Sequence, residues 1–460
     1  MALIKSISGI RGTIGGKPGE TLSPLDIVKY TAAFGRKLIS AENKKIVVGR
    51  DGRISGPMVA ELVMQTLVSI GADVIDLGLS TTPTVEFAVT AENAAGGIII
   101  TASHNPKEWN ALKLLNEKGE FISASIGAEI LDDADRGDLL FASVEKLGSI
   151  TKDDSYLEKH LNAIVEYPLV DKLSVEQKKI KIVVDAINST GAIFVPALLK
   201  KLGIAEDQII VLNHEVNGKF AHNPEPLPQN LSQLSAAVLT YKADIGIAVD
   251  PDVDRLVLVC EDGSMFGEEY TLVAVADYVL SKRPGNTVSN LSSSRALRDI
   301  TEKHKGEYFP AAVGEVNVVA KMKEVNAVIG GEGNGGIIVP DFHYGRDALI
   351  GIALVLTHLA QTGKSLKKMR SSYPDYFISK NKIEMDNGVD LPTVFEKLKM
   401  KYKSNPHSTI DGLRIEFDND WVHLRASNTE PIIRIIAESN FETTANNIAS
   451  KLIKDIQEFI

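Results

Sequence analysis

Short apolar runs alternating with helix-period stretches constrain this chain more than any other feature. Lys45-Ile46-Val47-Val48-Gly49 precedes a periodic stretch around Met58 to Ile70, and Ala72-Asp73-Val74-Ile75-Asp76-Leu77 follows it. Two strand-like runs with an amphipathic helix between them make a βαβ unit. The cadence returns at Lys179 to Asp185, Ala192 to Leu202 and Gln208 to Val211, and again at Glu324 to Gly330. Three similar α/β units in series are therefore expected. The last ninety or so residues differ: Gly412 to Phe417 and Trp421 to Arg425 read as a hairpin, Ile432 to Ala437 as a strand and Glu442 to Ile460 as a closing helix. That end predicts a smaller α+β unit.

A chain of 460 residues exceeds what one hydrophobic core serves, which agrees with several domains. The boundaries expected are 1–153, 154–257, 258–372 and 373–460. The single cysteine, Cys260, cannot form an internal disulfide, and with no signal-peptide pattern at the start a cytoplasmic location is expected. The longest apolar stretch, Ala348 to Ala360, is too short to span a bilayer and reads as a buried helix. A net charge of −10 argues against nucleic acid as the main partner, because such binding rests on Lys and Arg neutralising phosphates. Neither a nucleic-acid nor a membrane partner is expected, and the chain is taken as a monomer or homodimer.

Chemistry must then lie in short loops. Asp250-Pro251-Asp252-Val253-Asp254-Arg255 sits between two apolar runs, and its three alternating carboxylates repel one another unless a cation sits among them. Hard oxygen donors suit magnesium, which leaves room for phosphate oxygens and water. An EF-hand is excluded, since Arg255 stands where that loop needs glycine. Ser103 and His104 follow the apolar run Gly96 to Ile100, and Asn105-Pro106 ends the strand, holding the hydroxyl on an exposed bend. Neighbouring residues of an extended chain face opposite sides, so the Ser-His adjacency alone means little. A phosphate on Ser103, however, would supply a ligand to a metal held by the aspartates. Further on, Arg425-Ala426-Ser427-Asn428-Thr429-Glu430-Pro431 and Arg434 combine two guanidiniums with hydroxyl and amide donors, an inventory suited to a phosphate dianion. Gly331 to Gly336 is a glycine-rich loop without the Lys-Ser/Thr of a P-loop, and its Glu332 and Asn334 suit sugar hydroxyls.

Taken in order, these four loops resemble those of the α-D-phosphohexomutase superfamily. Thr101 to Pro106 is similar to the phosphoserine loop, Asp250 to Arg255 to the metal loop, Gly331 to Gly336 to the sugar loop and Arg425 to Pro431 to the phosphate-binding loop. Gly9 to Gly12, Gly49 to Ser55, His222 to Pro228 and Gly345 to Asp347 have counterparts as well. The resemblance implies an α/β, four-domain heart-shaped architecture, with three similar mixed-sheet domains and a smaller C-terminal α+β domain around a central cleft. It implies interconversion of hexose 1-phosphates and 6-phosphates through a phosphoserine and a hexose 1,6-bisphosphate. Ser103 would carry the phosphoryl group, with His104 beside it as a catalytic candidate; Asp250, Asp252 and Asp254 would hold Mg2+ together with Ser103. Lys113 would be a proton carrier, and Arg11 and Arg255 would flank the transferring group. Glu332, Asn334, Arg425, Ser427, Asn428, Thr429 and Arg434 would bind the phosphosugar. Two departures stand out. Asn334 and Gly336 replace a serine and a histidine common in the family, a pattern similar to the archaeal-type branch of phosphoglucosamine and phosphogluco/phosphomannomutases, and Ala111 replaces a glycine. Glucosamine phosphate is the sugar expected first, with mannose and glucose phosphates after it.

Overall fold

The computed structural model describes residues 3–6, 9–137, 139–385, 390–426 and 432–459. Four sheets follow one another along the chain, of seven, four, four and five strands. The first three repeat one arrangement. In the first, Trp109–Leu115, Gly96–Ile100, Lys45–Arg50 and Asp73–Leu79 lie side by side in that order. Leu256–Cys260, Ile245–Val249, Ile182–Asp185 and Ile209–Leu212 do the same in the second, and Gly336–Ile338, Ala327–Glu332, Asn286–Asn290 and Tyr308–Ala311 in the third. Each set has three parallel strands and one antiparallel strand returned by a hairpin. Helices cover both faces of the parallel part, which is why Gly96–Ile100 and Ile245–Val249 are buried at every position rather than alternating.

The hairpin in each unit carries one of the three loops singled out above. Ser103 lies between Gly96–Ile100 and Trp109–Leu115, the aspartates between Ile245–Val249 and Leu256–Cys260, and Gly333 to Gly335 between Ala327–Glu332 and Gly336–Ile338. One topology therefore delivers three loops from corresponding strand ends of three sheets. The expected division at residue 257 falls inside Leu256–Cys260, which pairs with Ile245–Val249 and so carries the second sheet to Cys260.

The helices start where side chains cap them. Ser23 and Asp26 form a capping box on Pro24–Leu38, Thr81 accepts from the Thr84 N–H at the head of Thr82–Ala91, and Asp347 accepts from Leu349 and Ile350 on Ala348–Thr362. Ala348–Thr362 is the buried helix expected of the long apolar run; among the described residues no helix is long and apolar enough to cross a membrane. One apolar cluster runs from Leu161 to Tyr373, so the second and third units share a core, while the first and fourth have their own. The fourth unit is an antiparallel sheet in which Leu413–Glu416 and Trp421–Ala426 form the expected hairpin, with Glu442–Gln457 as the closing helix.

Candidate active site

Ser103 sits at a backbone φ of +48°, a left-handed conformation that non-glycine residues seldom adopt. Two expectations change as a result. The chain is not extended there, so Ser103 and His104 do not diverge, and Oγ lies 3.4 Å from His104 Nδ1. Nor is the hydroxyl-bearing residue exposed: Ser103 is buried, and only Pro106 to Glu108 bring the bend to the surface. What holds the strained turn is Arg53. Its Nε donates to Asp51 Oδ2 at 3.0 Å, Nη1 to the carbonyls of Pro106 and Trp109 at 2.7 and 2.9 Å, and Nη2 to those of Ser103 and Asn105 at 2.6 Å each. All five guanidinium donors are thus engaged, three of them on the serine loop and one on Trp109, where the next strand begins. Asp51 also accepts from Thr101 Oγ1 at 2.7 Å, and that oxygen accepts from the Ser103 N–H at 2.9 Å. Sequence reasoning gave Arg53 no role, because a buried clamp and a surface arginine look alike in a string.

Across the junction between the first two units, Ser103 Oγ donates to Asp250 Oδ2 at 2.7 Å. Asp250 Oδ1 accepts from the Asp254 and Arg255 N–H groups, both at 3.1 Å. Asp252 Oδ2 accepts from Thr82 Oγ1 at 2.5 Å and Lys113 Nζ at 2.6 Å. Asp254 Oδ2 accepts from Lys113 Nζ at 3.0 Å and Arg346 Nη2 at 2.7 Å. The remaining oxygens, Oδ1 of Asp252 and of Asp254, are buried without a hydrogen-bond partner among the described residues. One oxygen from each of the three aspartates lies within 4.8 Å of the others. Two orphaned carboxylate oxygens in a dry site are a standing penalty that a divalent cation removes, and an all-oxygen set suits magnesium. Val253, between them, is at φ +61°, strained for a β-branched residue.

Charge in this cluster is finely divided. Burial, then the charges of Asp254 and Asp252, push the Asp250 carboxyl well above the usual carboxylate range. Burial acts on Asp254 in the same sense, but Arg346, Lys113 and Arg255 outweigh it and hold that carboxyl far below. Burial opposes the charged form of Lys113, yet Asp252 and Asp254 prevail and raise its pKa. His104 is held well below its ordinary value by burial and then by the positive charges of Arg255 and Arg11. Arg11 Nη1 donates to Asn105 Oδ1 at 3.3 Å, and Arg255 Nη1 stands 3.5 Å from Glu225 Oε1 while its Nε is buried without a partner. Ser103, His104, Lys113, Arg11, Arg255 and the three aspartates are therefore brought together.

Arg346 is the second residue that sequence reasoning left without a role. Besides Asp254, its guanidinium donates to Glu332 Oε2 at 2.8 Å and Glu315 Oε2 at 2.9 Å. It ties the glycine-rich loop to the aspartate loop. Glu332 turns inward, its Oε1 accepting from Asn290 Nδ2 at 2.8 Å and the Gly314 N–H at 3.1 Å. Asn334 Oδ1 accepts from the Gly336 N–H at 3.2 Å and stays half-buried.

The fourth unit contributes cations. Arg425 and Arg434 stand directly opposite on adjacent antiparallel strands, and Lys382 stands opposite Arg434 on the next, so three cations share one face in a row. Like charges directly opposed destabilise a sheet, and an anion over the row would offset that. Arg425 Nε reaches Asp411 at 2.9 Å, while Arg434 and Lys382 are exposed. Lys382 was missed because only strand register places it there. Ser427, Asn428 and Thr429 lie outside the described residues.

Four family models match the chain in order: the alpha/beta/alpha domains I, II and III of phosphoglucomutase/phosphomannomutase over residues 3–140, 154–263 and 267–376, and its C-terminal domain over residues 381–454. A phosphoglucomutase/phosphomannomutase of Thermococcus kodakarensis is 35% identical over 97% of this chain and 98% of its own. A phosphoglucosamine/phosphogalactosamine mutase of Sulfurisphaera tokodaii is 30% identical over 99% of this chain and 100% of its own. Among solved structures, a phosphoglucomutase/phosphomannomutase family protein of Burkholderia thailandensis superposes with a TM-score of 0.85 at 26% identity, over 99% of this chain and 98% of that one. The chain belongs to the phosphoglucomutase/phosphomannomutase family, within the α-D-phosphohexomutase superfamily. Its activity is that of a phosphohexomutase, an isomerase that moves a phosphoryl group within a sugar phosphate.

Proposed function

We propose that the chain interconverts glucosamine 6-phosphate and glucosamine 1-phosphate by way of a phosphoserine at Ser103 and a 1,6-bisphosphate intermediate. The observation that carries the mechanism is the 2.7 Å contact between Ser103 Oγ and Asp250, beside two buried aspartate oxygens that lack partners among the described residues, while the choice of sugar rests on the Asn334 to Gly336 pattern and on relatives named phosphoglucosamine mutase. Asp250, Asp252 and Asp254, with an oxygen of the Ser103 phosphate, would hold Mg2+. Bound there, the ion would neutralise charge on the transferring phosphoryl group.

Phosphoryl transfer leaves a protein little covalent work, so positioning and charge neutralisation carry the step. The bond from phosphorus to Ser103 Oγ breaks as a bond to the free sugar hydroxyl forms, and the hydroxyl proton leaves to a base. Lys113, held as an ammonium between Asp252 and Asp254, is the candidate to return a proton to Oγ. His104, 3.4 Å from Oγ and disfavoured as a cation, is the candidate base. Arg11 and Arg255 flank the moving group. Asn334 is the residue of the glycine-rich loop placed to meet the sugar, while Glu332 lies behind it and holds Arg346; Arg425 and Arg434 hold the phosphate that is not reacting, with Ser427, Asn428 and Thr429 between them in sequence. The bisphosphate then turns end for end and returns its other phosphoryl group to Ser103, while closure of the cleft excludes water.

Turnover with glucosamine, mannose and glucose phosphates, each with and without its 1,6-bisphosphate, tests the reading. The highest kcat/KM on glucosamine phosphate and a lag abolished by bisphosphate are expected. Preference for mannose or glucose phosphate would move the specificity, and turnover without any labelled phosphoserine would overturn the mechanism.

A further inference from the structure

A second set of metal-type ligands lies where three units meet. His160 comes from helix Tyr156–Glu166, His343 from the loop before helix Ala348–Thr362, and Asp347 is that helix's N-cap. Asp347 Oδ2 stands 3.2 Å from His160 Nε2 and 3.3 Å from His343 Nε2, and the three ligand atoms lie within 4.8 Å of one another. Nitrogen and oxygen donors bound at about 2.0–2.1 Å around a tetrahedral centre stand about 3.4 Å apart, and the two contacts to Asp347 fit that spacing.

Hydrogen bonding accounts for only part of the cluster, in which His343 Nε2 meets Asp347 Oδ2 as a hydrogen bond. His160 is fully buried, yet among the described residues its Nε2, aimed at Asp347, makes no hydrogen bond of acceptable geometry. His343 Nδ1 and both carboxylate oxygens of buried Glu86 are also without partners, although Glu86 Oε2 is 3.5 Å from that nitrogen. A metal on the two Nε2 atoms would resolve this arrangement. Each ring would then carry its proton on Nδ1, where His160 meets Thr84 Oγ1 at 2.9 Å and His343 faces Glu86. Carboxylates behind ligating histidines fix ring orientation and tautomer in metal sites generally. Phe87 and Phe342 stack on His160 with centroids 5.1 and 5.6 Å away, which holds its ring in the required plane.

We propose that His160, His343 and Asp347 form a second divalent-metal site, separate from the three-aspartate loop, that takes zinc with water completing the coordination. Imidazole nitrogens select zinc over magnesium, whereas the all-carboxylate loop prefers the harder ion. The ion would pin the first unit, through Glu86, to helices of the second and third.

The test uses the full chain stripped by chelation, with excess Mg2+ present to fill the aspartate loop, and titrates it with Co2+. One equivalent should produce the intense visible absorption of four- or five-coordinate cobalt, and Zn2+ should displace it. His343→Gln and His160→Gln should each abolish the band, and Glu86→Gln should weaken metal binding about 10–100-fold. Zinc should raise the Tm of the parent chain and leave that of His343→Gln unmoved. Absence of the band together with no zinc retained by the parent chain would overturn the proposal, leaving an ordinary His-Asp-His hydrogen-bond network. A band that survives in His343→Gln would overturn it equally.

Discussion

The serine loop and the cationic row of the fourth unit would handle the same chemical group, yet they are built in opposite ways. Arg53 is wholly buried with every donor assigned, and it fixes a backbone turn that would otherwise relax. Arg434 and Lys382 are exposed, and Arg425 is tethered through one nitrogen to Asp411. The difference teaches that positional accuracy is concentrated where a bond would break, while the far end supplies charge with slack. Such slack suits a substrate that must be held in either of two orientations, because the sugar ring and its hydroxyls lie differently between the two phosphates when the molecule turns round.

Substitutions can break that comparison. Ser103→Ala should abolish turnover while leaving sugar-phosphate binding in place, measured by kcat and by calorimetry; normal turnover would remove the serine from the mechanism. Asp252→Asn should lower kcat by about 10²–10³-fold and blunt its response to Mg2+ in a metal titration. Arg53→Lys keeps the charge but not the five-way fork, and a displacement near 1 Å at the serine should lower kcat about a hundredfold with KM little changed. A lowered Tm with kcat per folded molecule unchanged would show that Arg53 supports the fold without aligning the loop. At the other end, Arg425→Ala should weaken binding by about 1.5–3 kcal/mol, seen as raised KM in both reaction directions. Lys382→Ala should cost only about 0.2–1 kcal/mol, and that loss should shrink as salt is added.

Much of this architecture was legible because loops carry unusual residue sets while strands carry only apolar pattern. The alternation of 2-residue and 3.6-residue periods revealed three α/β units, and the loops Thr101 to Pro106 and Asp250 to Arg255 declared themselves by charge and proline placement. That the three sheets share one strand order was not legible, since Gly96–Ile100, Ile245–Val249 and Ala327–Glu332 have little in common beyond burial. The left-handed turn at Ser103 escaped for a related reason: a serine at positive φ is imposed by Arg53 and Thr101 from outside the local sequence. Arg346 and Lys382 act through partners fixed by tertiary contact or strand register, and no local pattern encodes either. Glu332 was read as a residue open to sugar, but three donors from distant segments turn it inward.

Cys260 ends the strand that returns from the aspartate loop; it is the only cysteine in the chain, it is buried, and burial pushes its thiol up to about 11. Thiol reagents should therefore react with the native protein only when that strand unlatches, which makes the rate of labelling a built-in clock for opening of the second unit. Run with and without divalent ions, the same clock reports how firmly each of them locks that strand in place, without any engineered probe.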